Sequence, residues 1–326
     1  MKEKSLAQKD YIVSAIVSAY NCERFIAGCL EDLERQTIAD RLEIVVVNSG
    51  SQENEETIIK KFQEKFDNIV YIKTENRETI YKAWNRGIKS ASGKYITNAN
   101  ADDRHRRDAF EVMVNELERD GNIDLVYADD IITETENETF EKHTPTGHHN
   151  WPDFDRYQLL CRCFIGPHPM WRKVLHERFG YFDESFEVAG DYEFWLRISE
   201  KCRFKYIKEY LGLYLRNPNS AEMRDYAVTL SETERIVNKY LIRASDNKKL
   251  LKALKGIQSR RVRYLGYLYY ERRFFRLARK AFLRSISYNW RNLRSYQWLI
   301  ACYLPPEMVQ ILRRIKRLAK ISALRN

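Results

Sequence analysis

The chain has 326 residues, of which 44% are apolar and 31% are charged, so it can bury one large core or two smaller ones and is not expected to be disordered as a whole. No stretch approaches the roughly 18 consecutive apolar residues of a membrane span, and the first residues lack the apolar segment of a signal peptide. A cytoplasmic location is therefore expected.

Positive charge is concentrated at the C-terminal end. Residues 247–326 contain 21 Lys and Arg against two acids, Glu271 and Glu307, a net charge of +19, whereas residues 1–246 contain 35 bases and 44 acids. Such a contrast indicates two parts with different partners. We place a boundary near Asp246, which predicts one domain over residues 1–245 and a basic helical region over residues 246–326.

The first part alternates short apolar runs with helix-like periodicity. The runs at 11–18, 42–47, 69–73 and 95–98 are rich in β-formers, and helical patterns follow several of them, at 79–89 and 108–118 among others. Strands separated by helices of this length form βαβ units. They predict an α/β fold with a mostly parallel, Rossmann-type sheet and helices on both faces.

Beyond these units the pattern is less regular. A further strand is predicted at 125–132, followed by a polar loop over 133–150. Residues 154–163 and 192–199 look helical, and 204–207 and 211–215 look like two short strands. Helical patterns dominate after residue 224.

One faint repeat lies in the basic region. Leu265, Gly266, Tyr269, Ala278 and Phe282 follow the spacing of a tetratricopeptide unit. A single unit cannot form a solenoid, so an ordinary helical hairpin is an equally good interpretation. The closing stretch 311–326 places its aliphatic residues toward one side and most of its bases toward the other.

Two adjacent acids, Asp102 and Asp103, follow the strand predicted at 95–98. In an open α/β sheet, ligands bind outside the carboxyl ends of the strands. Neighbouring carboxylates repel each other, and a hard divalent cation such as Mn²⁺ or Mg²⁺ relieves that repulsion through oxygen ligands. The alternative is a helix N-cap with local ion pairs to the following arginines.

Several motifs in this order resemble family 2 glycosyltransferases of the GT-A fold, over roughly residues 11–220. The resemblance is carried by SAIVSAYNCERF, EIVVVNSGSQENEE, the AWNRGI and NADD elements of the segment ending at Asp103, FGYFDESFEVAGDYEFWLRI and YLRNPNS. Any one of these would be weak evidence, whereas their ordered agreement over two hundred residues is specific.

The resemblance implies a role for three acids. Asp102 and Asp103 would hold the metal that bridges the diphosphate of a nucleotide sugar and stabilises the leaving group. Asp191 would be the base that takes the proton of the acceptor hydroxyl, and direct displacement would invert the anomeric centre. Asp191 could also simply cap the helix that follows it.

The resemblance also implies the remaining contacts of the site. Donor-binding positions, for the nucleoside and the diphosphate, are Ser18, Tyr20, Asn48, Ser51, Arg86, Asn100 and Asp102, and acceptor-binding positions are His168 and Trp171. The alternative for the first four is ordinary turn chemistry between strand and helix. For His168 it is a packing histidine.

Three departures from the family pattern leave an inactive member open. Asn48, Asn100 and Asn217 stand where the family commonly has two acids and a histidine. Such a member would be a scaffold that binds a partner through its helical region. Asp102, Asp103 and Asp191 are retained, which favours activity. A nucleotidyltransferase would need a phosphate-gripping loop after the first strand, and YNCERF offers none.

The function implied is metal-dependent, inverting transfer of a single sugar, a hexosyl group. The donor is expected to be a UDP-sugar and the acceptor a glycan or lipid-linked glycan in cell-surface polysaccharide synthesis. The QxxRW motif of processive members is absent, so transfer should be non-processive. The basic helices suit an anionic membrane on the inner face of the plasma membrane, while a protein partner remains open and nucleic acid is not expected.

Overall fold

The computed structural model describes residues 10–217, 226–243, 247–304 and 308. The chain divides into two compact units, Met1–Arg224 and Asp225–Asn326. The division therefore falls about twenty residues before the boundary predicted from the change in charge. The reason is packing: Ala227 and Leu230 of the helix Tyr226–Arg243 are buried with Leu265 of the basic region, although this helix itself carries mixed charge.

The first half of the sheet in unit 1 is parallel, with strand order β3-β2-β1-β4. Its elements in chain order are β1 (Val13–Ala19), α1 (Glu23–Glu34), a 3₁₀ turn (Ala39–Arg41), β2 (Leu42–Ser49), α2 (Glu55–Gln63), β3 (Ile69–Thr74), α3 (Ile80–Ser90) and β4 (Tyr95–Asn98). These strands begin and end within about two residues of the predicted runs.

The second half of the sheet is mixed. Its elements are β5 (Arg104–His105), α4 (Ala109–Arg119), β6 (Ile123–Thr133), β7 (Gly147–His149), α5 (Arg156–Cys161), β8 (Met170–Arg172), α6 (Val174–Phe179), α7 (Gly190–Ile198) and β9 (Arg203–Leu215). The order continues β4-β8-β6-β9-β5, and β7 pairs with β6. Strand β8 runs antiparallel to both β4 and β6, while β6 and β9 are parallel.

Two details differ from the predicted elements. The two short strands expected at 204–207 and 211–215 form one strand, β9, whose register against β6 shifts between Ala128 and Asp130. The irregularity interrupts the alternation of apolar residues, which is why the sequence suggested two strands. The polar segment 133–150, expected to be a loop, contains β7.

Helices cover both faces of the sheet, as predicted. On one face, Val13, Ala15 and Val17 of β1 share a core with Ile26 and Leu30 of α1. The intervening residue Ile16 points to the other face, where it meets α3 so closely that a Cβ on Gly87 would lie 2.7 Å from it. The central strands β1 and β2 are therefore buried on both faces of the sheet.

Unit 2 is helical, with α8 (Tyr226–Arg243), α9 (Lys248–Glu271), α10 (Phe275–Tyr288) and α11 (Leu293–Ala301). Helices α9 and α10 form a hairpin in which Leu265, Ala278 and Phe282 are buried, and Gly266 abuts the Phe282 ring. A hairpin was expected there, whether or not it is a tetratricopeptide unit. The amphipathic stretch 311–326 lies outside the described residues. Among the helices that are described, none has the length and apolar character needed to cross a membrane.

Candidate active site

The acid pair lies where the parallel strands end. Strand β4 stops at Asn98, the chain turns, and β5 then pairs antiparallel with β9. Asp102 is partly exposed in this turn, whereas Asp103 is buried. Burial and then the nearby charge of Asp103 raise the pKa of Asp102 to about 7. Neither acid is the N-cap of the following helix, since that position belongs to Asp108, so the capping alternative is wrong.

The two acids of the pair face different surroundings. Asp103 Oδ1 accepts a hydrogen bond from the backbone N–H of Leu215 (2.9 Å), and Oδ2 accepts one from Asn100 Nδ2 (2.9 Å). The same Oδ2 lies 3.4 Å from His168 Nε2. Both oxygens of Asp103 are thus held by the protein, and Asp102 is the member of the pair that reaches the surface.

His168 lies behind the acid pair and is 4% exposed. Its Nδ1 lies 2.7 Å from Asp130 Oδ1. Burial alone would lower the pKa of His168, but its ion pair with Asp103 and its hydrogen bond to Asp130 outweigh burial and raise the pKa to about 10. The imidazolium is therefore enclosed by two carboxylates. This corrects the predicted acceptor contact, because a buried side chain of this kind cannot touch an acceptor sugar.

Trp171 also lies in the core and is 1% exposed. It belongs to β8, its Nε1 donates to His176 Nε2 (2.9 Å), and its ring packs edge-on against Phe182 and Trp195. The predicted role in acceptor binding is corrected here too, since β8 is inserted between β4 and β6 and its side chains are covered on both faces.

Two of the predicted nucleoside contacts build turns. Asn48 is buried, its Nδ2 donates to the Tyr71 hydroxyl (3.0 Å), and its Oδ1 accepts from Ser51 N (3.0 Å). Ser51 Oγ accepts from Asn21 N (3.0 Å) and lies 2.6 Å from Glu55 Oε2. These bonds join the turn after β1 to the turn after β2, so the alternative of turn chemistry fits Asn48 and Ser51.

The other two nucleoside positions remain at the surface of this edge. Ser18 is partly buried near the end of β1, opposite Val47. Tyr20 follows the strand, and the guanidinium of Arg77 lies 4.2 Å from its ring centroid. Tyr20 therefore presents an aromatic face at the carboxyl edge of the sheet, with an arginine of the protein already placed on it.

Arg86, predicted to meet the diphosphate, is paired with a carboxylate instead. Its Nε and Nη2 donate to the two oxygens of Glu78 at 3.0 and 2.6 Å. Lys82 Nζ lies 3.3 Å from the same group. Arg86 holds the pKa of Glu78 below its usual range. Because Arg86 is bound bidentately to Glu78, it is not expected to contact a phosphate directly.

Asp191 lies in the first turn of α7, one residue after its start. The N-cap position is Ala189, so Asp191 does not cap the helix, although its charge is favourable at this helix end. The Tyr81 hydroxyl lies 3.0 Å from Asp191 Oδ1 and 2.6 Å from the Val188 carbonyl oxygen. Because Tyr81 is in the first turn of α3, this contact brings Asp191 to the carboxyl edge of the parallel strands.

The side chains at this edge suit a cation whose remaining ligands come from a bound substrate and water. Within the part of the chain that the structure describes, no group of three or more His, Cys, Asp or Glu side chains is placed to hold a metal ion. Mg²⁺ and similar ions are commonly bound through one or two carboxylates, with substrate phosphates and water supplying the other ligands. Asp102, partly exposed and crowded by a second negative charge, fits that arrangement.

Sequence reasoning missed Asp130, Tyr81 and Glu78. The signal for Asp130 was available, because Asp129-Asp130 is a pair of acids inside an apolar strand, the same pattern that drew attention to Asp102 and Asp103. Tyr81 and Glu78 gave no comparable signal, since their roles depend on partners that only the fold brings near.

A sequence model of glycosyl transferase family 2 matches residues 14–179. The chain belongs to this family, which confirms the resemblance seen in its motifs. The predicted class of enzyme, a glycosyltransferase, is confirmed with it.

Among its relatives, a chondroitin synthase of Escherichia coli is 25% identical over 241 residues, which cover 74% of this chain but only 34% of that protein. Among solved structures, S. aureus TarS 1–349 in complex with UDP gives a TM-score of 0.62 at 16% identity, over 90% of this chain and 89% of that one. The mannosyltransferase PcManGT from Pyrobaculum calidifontis, in complex with GDP-Man and Mn²⁺, gives 0.54 at 16% identity, over 89% and 85%. These similarities establish the GT-A type of fold.

Proposed function

We propose that the chain transfers one hexosyl group from a UDP-sugar to a glycan or lipid-linked glycan, with inversion and with a divalent metal, during the synthesis of a cell-surface polysaccharide. The observation that carries this proposal is that Asp102 and Asp191, on separate elements, both lie at the carboxyl edge of the parallel strands. The relative named chondroitin synthase supports the polysaccharide, and the TarS complex with UDP supports the nucleotide.

Asp191 is the proposed base. The acceptor hydroxyl attacks the anomeric carbon, the bond to the diphosphate oxygen breaks, and the hydroxyl proton passes to the Asp191 carboxylate. The hydroxyl of Tyr81, which shares its single proton between the Val188 carbonyl oxygen and Asp191 Oδ1, helps to orient that carboxylate. Attack on the face opposite the leaving group gives an inverted product.

Asp102 is the proposed metal ligand, and Mn²⁺ or Mg²⁺ the proposed ion. The ion would neutralise the charge that develops on the departing diphosphate. We assign the ligand role to Asp102 alone, rather than to both acids, because Asp103 already accepts hydrogen bonds from Leu215 N and Asn100 Nδ2. Asn100 contributes by holding Asp103.

Isothermal titration of the purified chain with UDP-sugars and GDP-sugars, with Mn²⁺ or EDTA, tests the proposal. We expect metal-dependent binding of at least one UDP-sugar and its slow hydrolysis, and we expect Asp102→Asn to abolish the dependence on metal. A folded protein that neither binds nor hydrolyses any donor would contradict the proposal and favour the scaffold alternative. Transfer that keeps the anomeric configuration would contradict the role of Asp191.

The basic unit offers a surface that suits an anionic membrane. Trp290 and Leu293 are 68% and 72% exposed, and with Tyr296 and Arg291 they line a surface cavity of about 480 Å³. Ile300 extends the same apolar stripe along α11. Residues 247–304 carry 15 Lys and Arg against one acid. Aromatic and aliphatic side chains surrounded by arginines are suited to the interface of a bilayer that contains anionic lipid, and we propose that partner.

Vesicle sedimentation tests the membrane partner. The full chain should bind vesicles that contain phosphatidylglycerol, lose binding at high salt, and bind less after Trp290→Ser or Leu293→Ser. Tyr157→Ser, at an aromatic of unit 1 that is 53% exposed, serves as the matched control and should bind normally. The assignment would be refuted if all variants bound vesicles equally, or if the wild type failed to bind at any salt concentration. It would also be refuted if the surface around Trp290 and Leu293 instead mediated self-association of the chain.

A further inference from the structure

A row of buried charged groups runs behind the proposed metal ligand. Asp103 Oδ2 lies 3.4 Å from His168 Nε2, and His168 Nδ1 lies 2.7 Å from Asp130 Oδ1. All three side chains are at least 96% buried. We call this row, Asp103–His168–Asp130, the charge bridge. Charged groups at such depth are costly unless they are paired and hydrogen-bonded, so their arrangement constrains the surrounding backbone.

Both ends of the charge bridge are anchored. At one end, Asp103 accepts from the backbone of Leu215, the last residue of β9, and from Asn100, two residues before Asp102. At the other end, Asp130 Oδ2 accepts from Trp151 Nε1 (3.0 Å). The bridge thus connects the turn that carries Asp102 to strand β6, to the end of β9 and to the segment that follows β7.

The sequence leaves space for this bridge at Gly212. A Cβ at that position would overlap His168 Nδ1 and lie 2.6 Å from Asp130 Oδ1, so a larger residue would separate the two partners. Strand pairing fixes Gly212 there, because β5 and β9 place it opposite His105. The backbone φ of Gly212 is not in the left-handed region, so the close approach, rather than the backbone conformation, is what requires glycine.

We propose that the charge bridge positions Asp102 for the divalent cation, with His168 and Asp130 as positioning residues. This inference rests on the proposed function. Asp103 is the peptide neighbour of Asp102, so a shift of Asp103 moves the ligand itself. Groups bonded directly to a metal ligand typically change metal affinity by about 10- to 100-fold when they are removed, and because the bridge acts through Asp103 the lower end of that range is expected here.

The test compares two pairs of variants of the full chain. Asp130→Asn removes the far charge of the bridge. Its control Asp129→Asn changes an adjacent buried acid whose carboxylate accepts from Trp151 N and the Tyr206 hydroxyl instead of pairing with His168. Gly212→Ala separates His168 from Asp130 without changing a charge, and its control Gly121→Ala adds a methyl group where nothing lies within 4 Å.

The measurements are calorimetric titrations with Mn²⁺ in the presence of UDP, and with UDP alone in EDTA. We expect Asp130→Asn and Gly212→Ala to weaken Mn²⁺ binding by about tenfold or more, with UDP affinity in EDTA changed by less than about twofold. Both control variants should bind Mn²⁺ like the wild type. A structural role alone would weaken metal and nucleotide binding together and would affect Asp129→Asn as much.

Each outcome gives a clear answer. Normal Mn²⁺ affinity in folded Asp130→Asn and Gly212→Ala would overturn the inference and leave the proposed function intact. A folded wild type that binds no Mn²⁺ in the presence of any nucleotide would overturn both. Should Asp130→Asn not fold, Trp151→Phe removes the neutral indole donor at the far end while keeping an aromatic ring beside His149, and about a threefold loss of Mn²⁺ affinity is then expected. No loss in that variant would count against the bridge.

Discussion

Replacing Asp102 by Asn is expected to stabilise the metal-free protein, whereas replacing Asp103 by Asn is expected to destabilise it. The pKa of Asp102 rises from 3.8 to about 7 in the folded chain through burial and the charge of Asp103. A group with a raised folded-state pKa holds its proton more tightly when folded, so the folded state loses stability as pH rises through this window. Ionised Asp102 therefore opposes folding above about pH 7 and has no effect below about pH 4.

The size of the effect follows from the shift. About three pKa units at 1.36 kcal/mol each give about 4 kcal/mol, which solvent screening of the partly exposed carboxylate reduces to about 2 kcal/mol. Asp103→Asn acts in the opposite direction. It removes one carboxylate beside His168 and turns an amide N–H toward Leu215 N or Asn100 Nδ2. Removing one partner of a buried charge pair costs about 3 to 5 kcal/mol.

Urea unfolding in EDTA at about pH 4, 6 and 8 measures both effects. Asp102→Asn should match the wild type at the lowest pH and exceed it at the highest, and Asp103→Asn should be less stable throughout. In the presence of UDP, replacing EDTA by Mn²⁺ should stabilise the wild type and should not stabilise Asp102→Asn. The reasoning is refuted if the two variants shift the free energy of unfolding in the same direction at pH 8, or if the gain from Asp102→Asn does not depend on pH.

Three further outcomes are expected. Asp191→Asn should lower the transfer rate by about 100-fold or more while the melting temperature stays within about 2 °C, and near-normal transfer would remove its role as base. Tyr81→Phe should lower kcat by about tenfold through loss of the hydrogen bond to Asp191, and an unchanged kcat would mean that this contact does not orient the carboxylate. Gly266→Ala should lower the stability of unit 2 by about 1 kcal/mol because its methyl group meets Phe282. Gly256→Ala on the same helix, where the added methyl group meets no atom closer than 3.9 Å, should raise the stability by a similar amount. Equal changes of the two variants in calorimetry would contradict the packing of Gly266 against Phe282.

The parallel half of the sheet was predictable because its strands are short, apolar and rich in β-branched residues, so local pattern and final burial agree. The position of Asp102 followed from the same pattern, since it comes directly after such a strand. The partners of the neighbouring Asp103 could not be predicted from this pattern. Leu215 and His168 lie far from Asp103 along the chain, and only the pairing of β5 with β9 and the insertion of β8 bring them close.

The predicted acceptor contacts, His168 and Trp171, were the least successful part of the sequence analysis. His168 and Trp171 belong to a short segment whose strand pairs antiparallel with two neighbours, and a three-residue strand has too little alternation to indicate which faces are covered. The resemblance in motif singled out this segment as a candidate acceptor site. It could not indicate that the histidine faces inward to Asp130, because that contact depends on the absence of a side chain at Gly212.

The guanidinium that rests on the ring of Tyr20 affects how selective this edge can be. Arg77 is exposed and its guanidinium lies 4.2 Å from the ring centroid, so the side chain can move away without disturbing the core. A nucleobase that stacks on Tyr20 exchanges one contact of about 1 kcal/mol for another of similar size. A lone aromatic molecule gains little binding free energy by such an exchange, whereas a nucleotide that is also held at a second point still binds favourably. If the proposed donor stacks its base on Tyr20, Arg77 would therefore compete with it and discriminate against ligands that lack a second attachment point.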